Sequence, residues 1–110
     1  MDDELRYRLL KHIEKNPEQS QRELAKTVGI SLGKTNFCLR ALVDVGLVKV
    51  ENFAKSKNKL NYAYILTPKG ISEKAAVTMR FLSSKQKQYR ELEKEIEALK
   101  KETRHSKVPR

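Results

Sequence analysis

Three kinds of apolar spacing follow one another along this chain: a helical spacing, a short alternating stretch, and a second, much longer helical spacing. At the start, Leu5, Leu9 and Ile13 recur every four residues, which predicts an amphipathic helix over residues 3–15. Pro17 cannot continue the hydrogen-bond ladder of a helix, so this first helix should end before it.

Two further helices are predicted next, because each has its own capping residue. Ser20 and Glu23 have the spacing of a capping box, in which each side chain satisfies a free amide at the helix start. Gly29 suits the left-handed conformation that closes such a helix. Ser31 then caps a third helix, which should stop at Gly46. Two short helices joined by a tight, glycine-containing turn predict a helix-turn-helix.

After this point the apolar residues alternate with polar ones, as they do in strands. Residues 47–51 and 60–66 are rich in β-branched and aromatic side chains and predict two strands. The polar residues 54–59 between them predict the connecting turn. We therefore expect a β-hairpin with a basic tip, which we call the wing.

A last, long helix is predicted from Thr67 as its N-cap and Pro68 as its first residue. No helix breaker follows Gly70 before about residue 103, and a helix of that length would span about 54 Å. Residues along this helix follow the 4-3-4-3 spacing of a heptad repeat, at Ile71, Ala75, Thr78, Leu82, Lys85, Tyr89, Leu92, Ile96, Leu99 and Thr103.

The first part of the long helix, through Phe81 and Leu82, is expected to pack on the domain's own core. The heptad stripe farther along has nothing left in the chain to pack on, so it predicts a homodimer interface. That predicted interface consists of Leu82, Tyr89, Leu92, Ile96 and Leu99.

Two directions of pairing remain open for the dimer helices. Glu95 and Lys100 have the spacing that lets them pair across a parallel dimer. Lys85 and Tyr89 in the seam would weaken a long parallel zipper, so an antiparallel crossing is also open.

These elements predict a mainly α fold with a small β-hairpin: a winged helix-turn-helix followed by a long C-terminal coiled-coil helix. We expect a DNA-binding domain over residues 1–70, a dimerisation helix over 71–103, and a basic tail over 104–110.

The distribution of charge indicates a polyanionic partner. The net charge is +10, and residues 30–69 contain seven basic and two acidic side chains. A basic middle third favours nucleic acid, against the alternative that lysines only keep the chain in solution. With 35% charged and 38% hydrophobic residues, the chain suits a small core and a solvated helix better than an enzyme with a deep pocket.

The third helix carries the predicted base-reading residues. Its stripe of Thr35, Cys38, Leu39 and Leu42 should face the first two helices. The other side, and the start of the helix, should face the major groove of duplex DNA, with Ser31, Leu32, Lys34, Asn36, Phe37 and Arg40 as candidate contacts.

Each of these side chains suits a particular part of DNA. Arg40 suits guanine or a phosphate, and Asn36 suits two hydrogen bonds to adenine. Phe37 or Leu32 suits a thymine methyl group. The alternative is that these are ordinary solvent positions, with Phe37 packed against a neighbour.

The wing is predicted to contact phosphates beside the minor groove through Lys55, Lys57, Asn58 and Lys59. The same lysines also protect an exposed strand edge against pairing with another chain, and the two roles are compatible.

Other chemistry has little support. Cys38 is expected to be a packing residue rather than a redox sensor. His12 and His105 stand far apart without other ligand candidates, so we expect neither metal nor cofactor, and no enzyme activity. There is no apolar run long enough for a membrane span, and the acidic start at Met1 argues against a signal peptide, so we expect a cytoplasmic protein.

The chain resembles the winged helix of MarR-type regulators over roughly residues 5–103. The resemblance is carried by Ser20-Gln21-Arg22-Glu23-Leu24-Ala25, Val28-Gly29-Ile30-Ser31, Ala41-Leu42, Gly46-Leu47-Val48 and Leu66-Thr67-Pro68-Lys69-Gly70. A narrower resemblance, to the short MarR-like regulators associated with exopolysaccharide genes, is carried by Ser31-Leu32-Gly33-Lys34, residues 36–39 and Val50-Glu51-Asn52-Phe53.

The resemblance implies a transcription regulator that binds a near-palindromic DNA site as a homodimer. Larger members of the family have extra helices that enclose an aromatic ligand, and this chain has one long helix in their place, so no small-molecule effector is predicted. The alternatives are an architectural DNA-binding protein without base preference and a winged-helix protein-interaction module.

Overall fold

The computed structural model describes residues 1–56 and 59–105, with the side chains of residues 1–52 and 62–105. Four helices and a two-stranded sheet follow one another along the chain. They are α1 (Asp3–Lys15), α2 (Gln21–Val28), α3 (Leu32–Asp44), β1 (Val48–Ser56), β2 (Lys59–Leu66) and α4 (Pro68–His105).

The helices begin where the capping residues predicted. The side chains of Ser20, Ser31 and Thr67 accept hydrogen bonds from backbone N–H groups three residues later, at 3.0, 3.1 and 3.0 Å. Gly29 closes α2 in the left-handed region, with φ of 82°. These bonds satisfy backbone groups that have no partner inside a helix, so the sequence determines the helix boundaries locally.

The hairpin is longer than predicted. β1 and β2 pair antiparallel, with Val48 opposite Leu66 and Val50 opposite Tyr64. The ladder continues past the apolar alternation, so Ser56 and most of the stretch predicted as a turn belong to the strands. Backbone hydrogen bonding between strands does not depend on side-chain polarity, which explains why the alternation underestimated both lengths.

The core lies where the three short helices meet the base of the hairpin and the start of α4. Its side chains, all nearly inaccessible to solvent, are Leu9, Leu10, Ile13, Leu24, Val28, Cys38, Leu39, Leu42, Leu47, Val48, Leu66 and Val77. Most of these apolar groups come from α1, α2 and α3, so the helix-turn-helix is anchored by their burial.

The start of α4 is held against the turn between α3 and β1. The backbone N–H of Thr67 donates to the carbonyl of Leu47 at 3.0 Å, and Lys69 Nζ donates to the carbonyl of Val45 at 2.9 Å. A Cβ added to Gly70 would lie 2.0 Å from the Leu47 carbonyl oxygen, so this close approach requires glycine.

Ion pairs and one aromatic contact then fix α4 along α1. Glu73 accepts from Arg80 at 2.8 Å and from Arg6 at 3.4 Å, and Arg80 also pairs with Asp3 at 3.2 Å. These hydrogen bonds lower the pKa of Glu73 below its ordinary value, and the bond from Arg80 has the largest effect. Burial acts in the opposite direction but is outweighed. The first third of α4 is therefore a fixed part of the winged domain.

The face of α4 that packs on the domain differs from the prediction. Val77 is fully buried, and the ring of Phe81 stacks on Tyr7 with centroids 5.1 Å apart. Leu82 and Ile71, by contrast, are about half exposed. The expectation that α4 packs on the domain through Phe81 and Leu82 therefore holds for Phe81 and is wrong for Leu82. Apart from Thr78, which is partly buried, the heptad stripe is exposed to solvent. Among the described residues, no helix is long and apolar enough to cross a membrane.

Candidate nucleic-acid interface

α3 presents one buried and one exposed face. Thr35, Cys38, Leu39 and Leu42 are all buried, which confirms the predicted anchoring stripe. Thr35 Oγ1 also donates to the carbonyl of Ser31 at 2.9 Å, so its hydroxyl is satisfied inside the helix. The anchored stripe fixes the rotation of α3 about its axis and thereby determines which side chains point away from the domain.

The exposed face brings together most of the predicted recognition residues. Phe37 is 74% exposed, Leu32 is 39% exposed, and Lys34 and Arg40 are also exposed. A phenylalanine this open is not part of the described core, and it lines a shallow cleft together with Met1 and Leu5. Ser31 sits at the exposed N-terminus of α3 as its cap.

Asn36 is placed differently from the other five. It is only partly exposed, and its Nδ2 donates to Gln21 Oε1 at 3.1 Å. Gln21 Nε2 in turn donates to Tyr64 Oη at 2.8 Å. Sequence reasoning did not identify Gln21 or Tyr64 as site residues, because no local pattern links positions that lie 43 residues apart.

The four predicted wing residues lie wholly or partly outside what the structure describes. Lys57 and Asn58 lie outside the described residues, and the side chains of Lys55 and Lys59 are likewise outside them. At the base of the wing, Lys49 forms an exposed ion pair with Glu51 at 3.1 Å. This pair offsets one basic charge of the segment locally.

A shallow cleft separates α3 from the base of the hairpin. It is lined by Gln21, Leu39, Arg40, Val43, Asp44, Val50 and Tyr64. The cleft is open to solvent, and its polar groups could form hydrogen bonds to an external surface.

Cys38 and His12 show no features of reactive sites. Cys38 is 3% exposed and belongs to the core, as expected for a packing residue. Burial, followed by the charges of Lys11, Lys15 and Arg8, lowers the pKa of His12. No cluster of three potential metal ligands occurs in the part of the chain that the structure describes.

The predicted dimer stripe is exposed on α4. Leu82, Tyr89, Leu92, Ile96 and Leu99 are between 42% and 64% exposed. Ile71 and Met79 extend the exposed apolar surface towards the start of the helix, at 55% and 66%. So long an apolar surface is unusual for an isolated soluble chain.

Comparison with known proteins supports the same fold. Residues 2–49 match a sequence family described as winged helix-turn-helix DNA-binding. No curated protein sequence matches the chain. Among solved structures, a MarR family protein of Mycobacterium tuberculosis in complex with salicylic acid is similar at 21% identity with a TM-score of 0.59, over 86% of this chain and 75% of that one.

Two structures from Staphylococcus aureus are similar to the same degree. MarR in complex with salicylate and kanamycin has 20% identity and a TM-score of 0.57, over 94% of this chain and 73% of that one. A point mutant of MepR has 23% identity and a TM-score of 0.59, over 94% and 75%. At this level of identity the likeness establishes the fold.

Proposed function

We propose that the chain regulates transcription as a homodimer on a near-palindromic DNA site, because residues 2–49 match a winged helix-turn-helix DNA-binding family and the fold is similar to that of MarR family structures. The observation that carries the proposal is the exposed face of α3, where Phe37, Arg40 and Lys34 project from a helix whose other side is locked into the core. We propose that it acts in the cytoplasm.

In this proposal α3 enters the major groove and reads base edges. Arg40 pairs with guanine or a phosphate, Asn36 with adenine, and Phe37 or Leu32 with a thymine methyl. Lys34 and Ser31 lie at the exposed start of the helix, where contact with the flanking phosphates is expected. The wing residues Lys55, Lys57, Asn58 and Lys59 are proposed to contact phosphates beside the groove.

The stripe on α4 supports the homodimer. A helix this long with an apolar side open to water gains little stability by itself, so packing against a second copy supplies what the chain lacks. Each of Leu92, Ile96 and Leu99 would contribute about 1.5–3 kcal/mol on full burial, before the cost of ordering. Two-fold symmetry then places two recognition helices on two half-sites, one helical turn or a multiple apart.

Two of the similar structures contain salicylic acid or salicylate, and those ligands belong to those proteins. For this chain we propose regulation without a small-molecule effector. The clefts among the described residues are open to solvent, which suits neither the burial nor the enclosure that small-molecule sites provide. Salicylate is therefore expected to leave DNA binding unchanged.

Selection of bound duplexes from a random pool tests the proposed function. A sequence-specific dimer should enrich two related half-sites in inverted order, at a fixed spacing. Enrichment without any sequence motif would favour an architectural DNA-binding protein, and no retention of DNA would favour a protein-interaction module. Either result would overturn the proposal.

A further inference from the structure

Tyr64, Gln21 and Asn36 form one hydrogen-bonded chain that joins the wing to the recognition helix. Gln21 Nε2 donates to Tyr64 Oη at 2.8 Å, and Asn36 Nδ2 donates to Gln21 Oε1 at 3.1 Å. The elements β2, α2 and α3 contribute one residue each. All three side chains are partly buried, so they hold one another in place rather than rotating freely in water.

The tyrosine end of this chain is fixed by its surroundings. Tyr64 packs against the hydrophobic core, and its backbone N–H donates to the carbonyl of Pro17 at 2.9 Å. Gln21 is fixed as the first residue of α2, directly after the capping Ser20. The position of the Asn36 side chain is therefore set by groups that are themselves held by the fold, whereas the direction of donation along the chain is not.

The direction of donation along the chain decides what Asn36 can read. A phenol and an amide can each donate or accept, so the same atoms permit two directions. When Tyr64 Oη accepts, as observed, Gln21 turns its oxygen to Asn36, and Asn36 turns Nδ2 inward. Its Oδ1 and its second N–H then remain for DNA, and adenine requires that combination at N6 and N7.

The opposite direction would favour other bases. If Tyr64 donated to Gln21, Gln21 would donate to Asn36 Oδ1, and the Asn36 amide would be turned over, with Oδ1 towards Gln21 and Nδ2 towards the DNA. Donor and acceptor would then exchange places, so the amide would no longer match N6 and N7 of adenine, and its outward N–H groups would suit the acceptors on guanine and thymine. Whatever determines the role of the Tyr64 phenol therefore determines the base preference at the position that Asn36 contacts.

A DNA phosphate can determine whether the Tyr64 phenol donates to Gln21 or accepts from it, because phosphate oxygens only accept hydrogen bonds. A DNA phosphate that takes the phenolic hydrogen of Tyr64 leaves Oη free only to accept from Gln21, and tyrosine is among the side chains that contact phosphates. We propose that Tyr64 and Gln21 are positioning residues, through which a phosphate contact at the wing orients Asn36 for adenine. The inference rests on the proposed function, since it assumes that α3 reads bases.

The test compares base preference at one position of the selected DNA site, identified as the position where Asn36→Ala changes preference. Gln21→Met keeps length and removes both hydrogen bonds. The adenine preference, expected at roughly 5- to 150-fold, should fall to the level of Asn36→Ala. The double variant should show no further loss, because both changes remove the same interaction.

A conservative variant separates positioning from a merely structural role. Glutamate in Gln21→Glu only accepts, so Tyr64 and Asn36 both donate to it and Asn36 keeps its orientation. Its adenine preference should be retained, while affinity for every sequence falls because of the added negative charge and the lost phenol–phosphate bond. Tyr64→Phe should weaken the preference, because Gln21 can then turn either way.

Arg22→Met is the matched control, since Arg22 is the exposed neighbour of Gln21 and forms none of the bonds in the chain. It should leave the base preference unchanged, and thermal melting should show that every variant is folded. The proposal is overturned if Gln21→Met keeps the full adenine preference, if its effect adds to that of Asn36→Ala, or if Asn36→Ala alters no preference. A wild-type chain without any base preference would instead contradict the proposed function.

Discussion

Gly70 is where the backbone of α4 comes closest to the rest of the domain. A methyl group there would lie 2.0 Å from the carbonyl oxygen of Leu47, so either the helix or the turn must shift. We expect Gly70→Ala to lower the free energy of unfolding by about 1–3 kcal/mol, measured by urea denaturation.

Gly33 provides the matched control for this substitution, because it is a second helical glycine with nothing within 4 Å of an added Cβ. Gly33→Ala should stabilise the free protein by up to about 1 kcal/mol, since alanine is the better helix former. Equal losses from the two variants would show that the close approach at Leu47 is not what selects glycine.

Substitutions of Arg40 and Lys57 are expected to affect DNA binding in different ways, because Arg40 should contact bases and Lys57 should contact phosphates. Arg40→Ala should relax preference at particular positions of the DNA site by about 1–3 kcal/mol. Lys57→Ala should weaken binding to all sequences alike and reduce the salt slope by roughly one. The measurement is binding to a series of singly mutated duplexes, and identical profiles for the two variants would contradict these assignments.

The sequence predicts contacts between residues that are close together along the chain, but not contacts between residues that are far apart in it. Ser20, Ser31 and Thr67 cap helices as predicted, because a cap involves only the next three residues. The partners of Asn36 were not predictable, since Gln21 and Tyr64 come next to it only after α2, α3 and β2 have packed.

Glu73 contributes to the attachment of α4 to α1, because it accepts hydrogen bonds from Arg80 of α4 and from Arg6 of α1. Because folding lowers the pKa of Glu73, its stabilising contribution is present above the ordinary glutamate pKa and is lost as pH falls through the lowered value. Glu73→Gln should cost about 1 kcal/mol near neutral pH, by thermal or urea unfolding, and should reduce the loss of stability on acidification.

Glu97→Gln is the control for this prediction. Glu97 forms an ion pair with Lys100 at 3.8 Å on an exposed part of α4, and such pairs contribute little. Its unfolding should match that of the wild-type chain at every pH. If Glu73→Gln behaves in the same way, the ion pair between Glu73 and Arg6 does not hold the helix in place.

The exposed stripe of α4 is predicted to be the dimer interface. Leu92→Asp/Leu99→Asp places charges in the seam and should yield a monomer in sedimentation, with the winged domain still folded. A chain ending at Ser84 should behave likewise. Lys94→Asp/Lys101→Asp, off the stripe on the same helix, should remain dimeric. If Leu92→Asp/Leu99→Asp is still dimeric at micromolar concentration, the interface lies elsewhere, most simply on α1.

The periodicity of the sequence predicts the length of α4 but not which of its faces packs on the domain. The extent of α4 was predicted to within two residues, because nothing after Gly70 interrupts it. Two overlapping stripes run along its first turns, and the sequence does not say which one packs on the domain. Val77 and Phe81 do so, whereas Ile71 and Leu82 stay exposed.

The molecule as a whole is elongated, at 74 × 29 × 20 Å, because α4 extends well beyond the winged domain. In a dimer this helix sets the distance between the two recognition helices. A parallel pair would hold the winged domains side by side, whereas an antiparallel pair would separate them along the helix axis. The spacing of half-sites in selected DNA therefore also reports the direction of pairing, which the heptad pattern alone leaves open.

Sequence-specific binding of duplex DNA is tested most directly by the affinity for a selected site relative to a scrambled duplex of equal length and composition. Anisotropy titrations at 50 and 200 mM salt would give both values. We predict about 10³-fold or more preference for the selected site, and a fall of about 10³ or more in affinity between the two salt concentrations. A ratio near one, or an affinity that does not change with salt, would contradict the account.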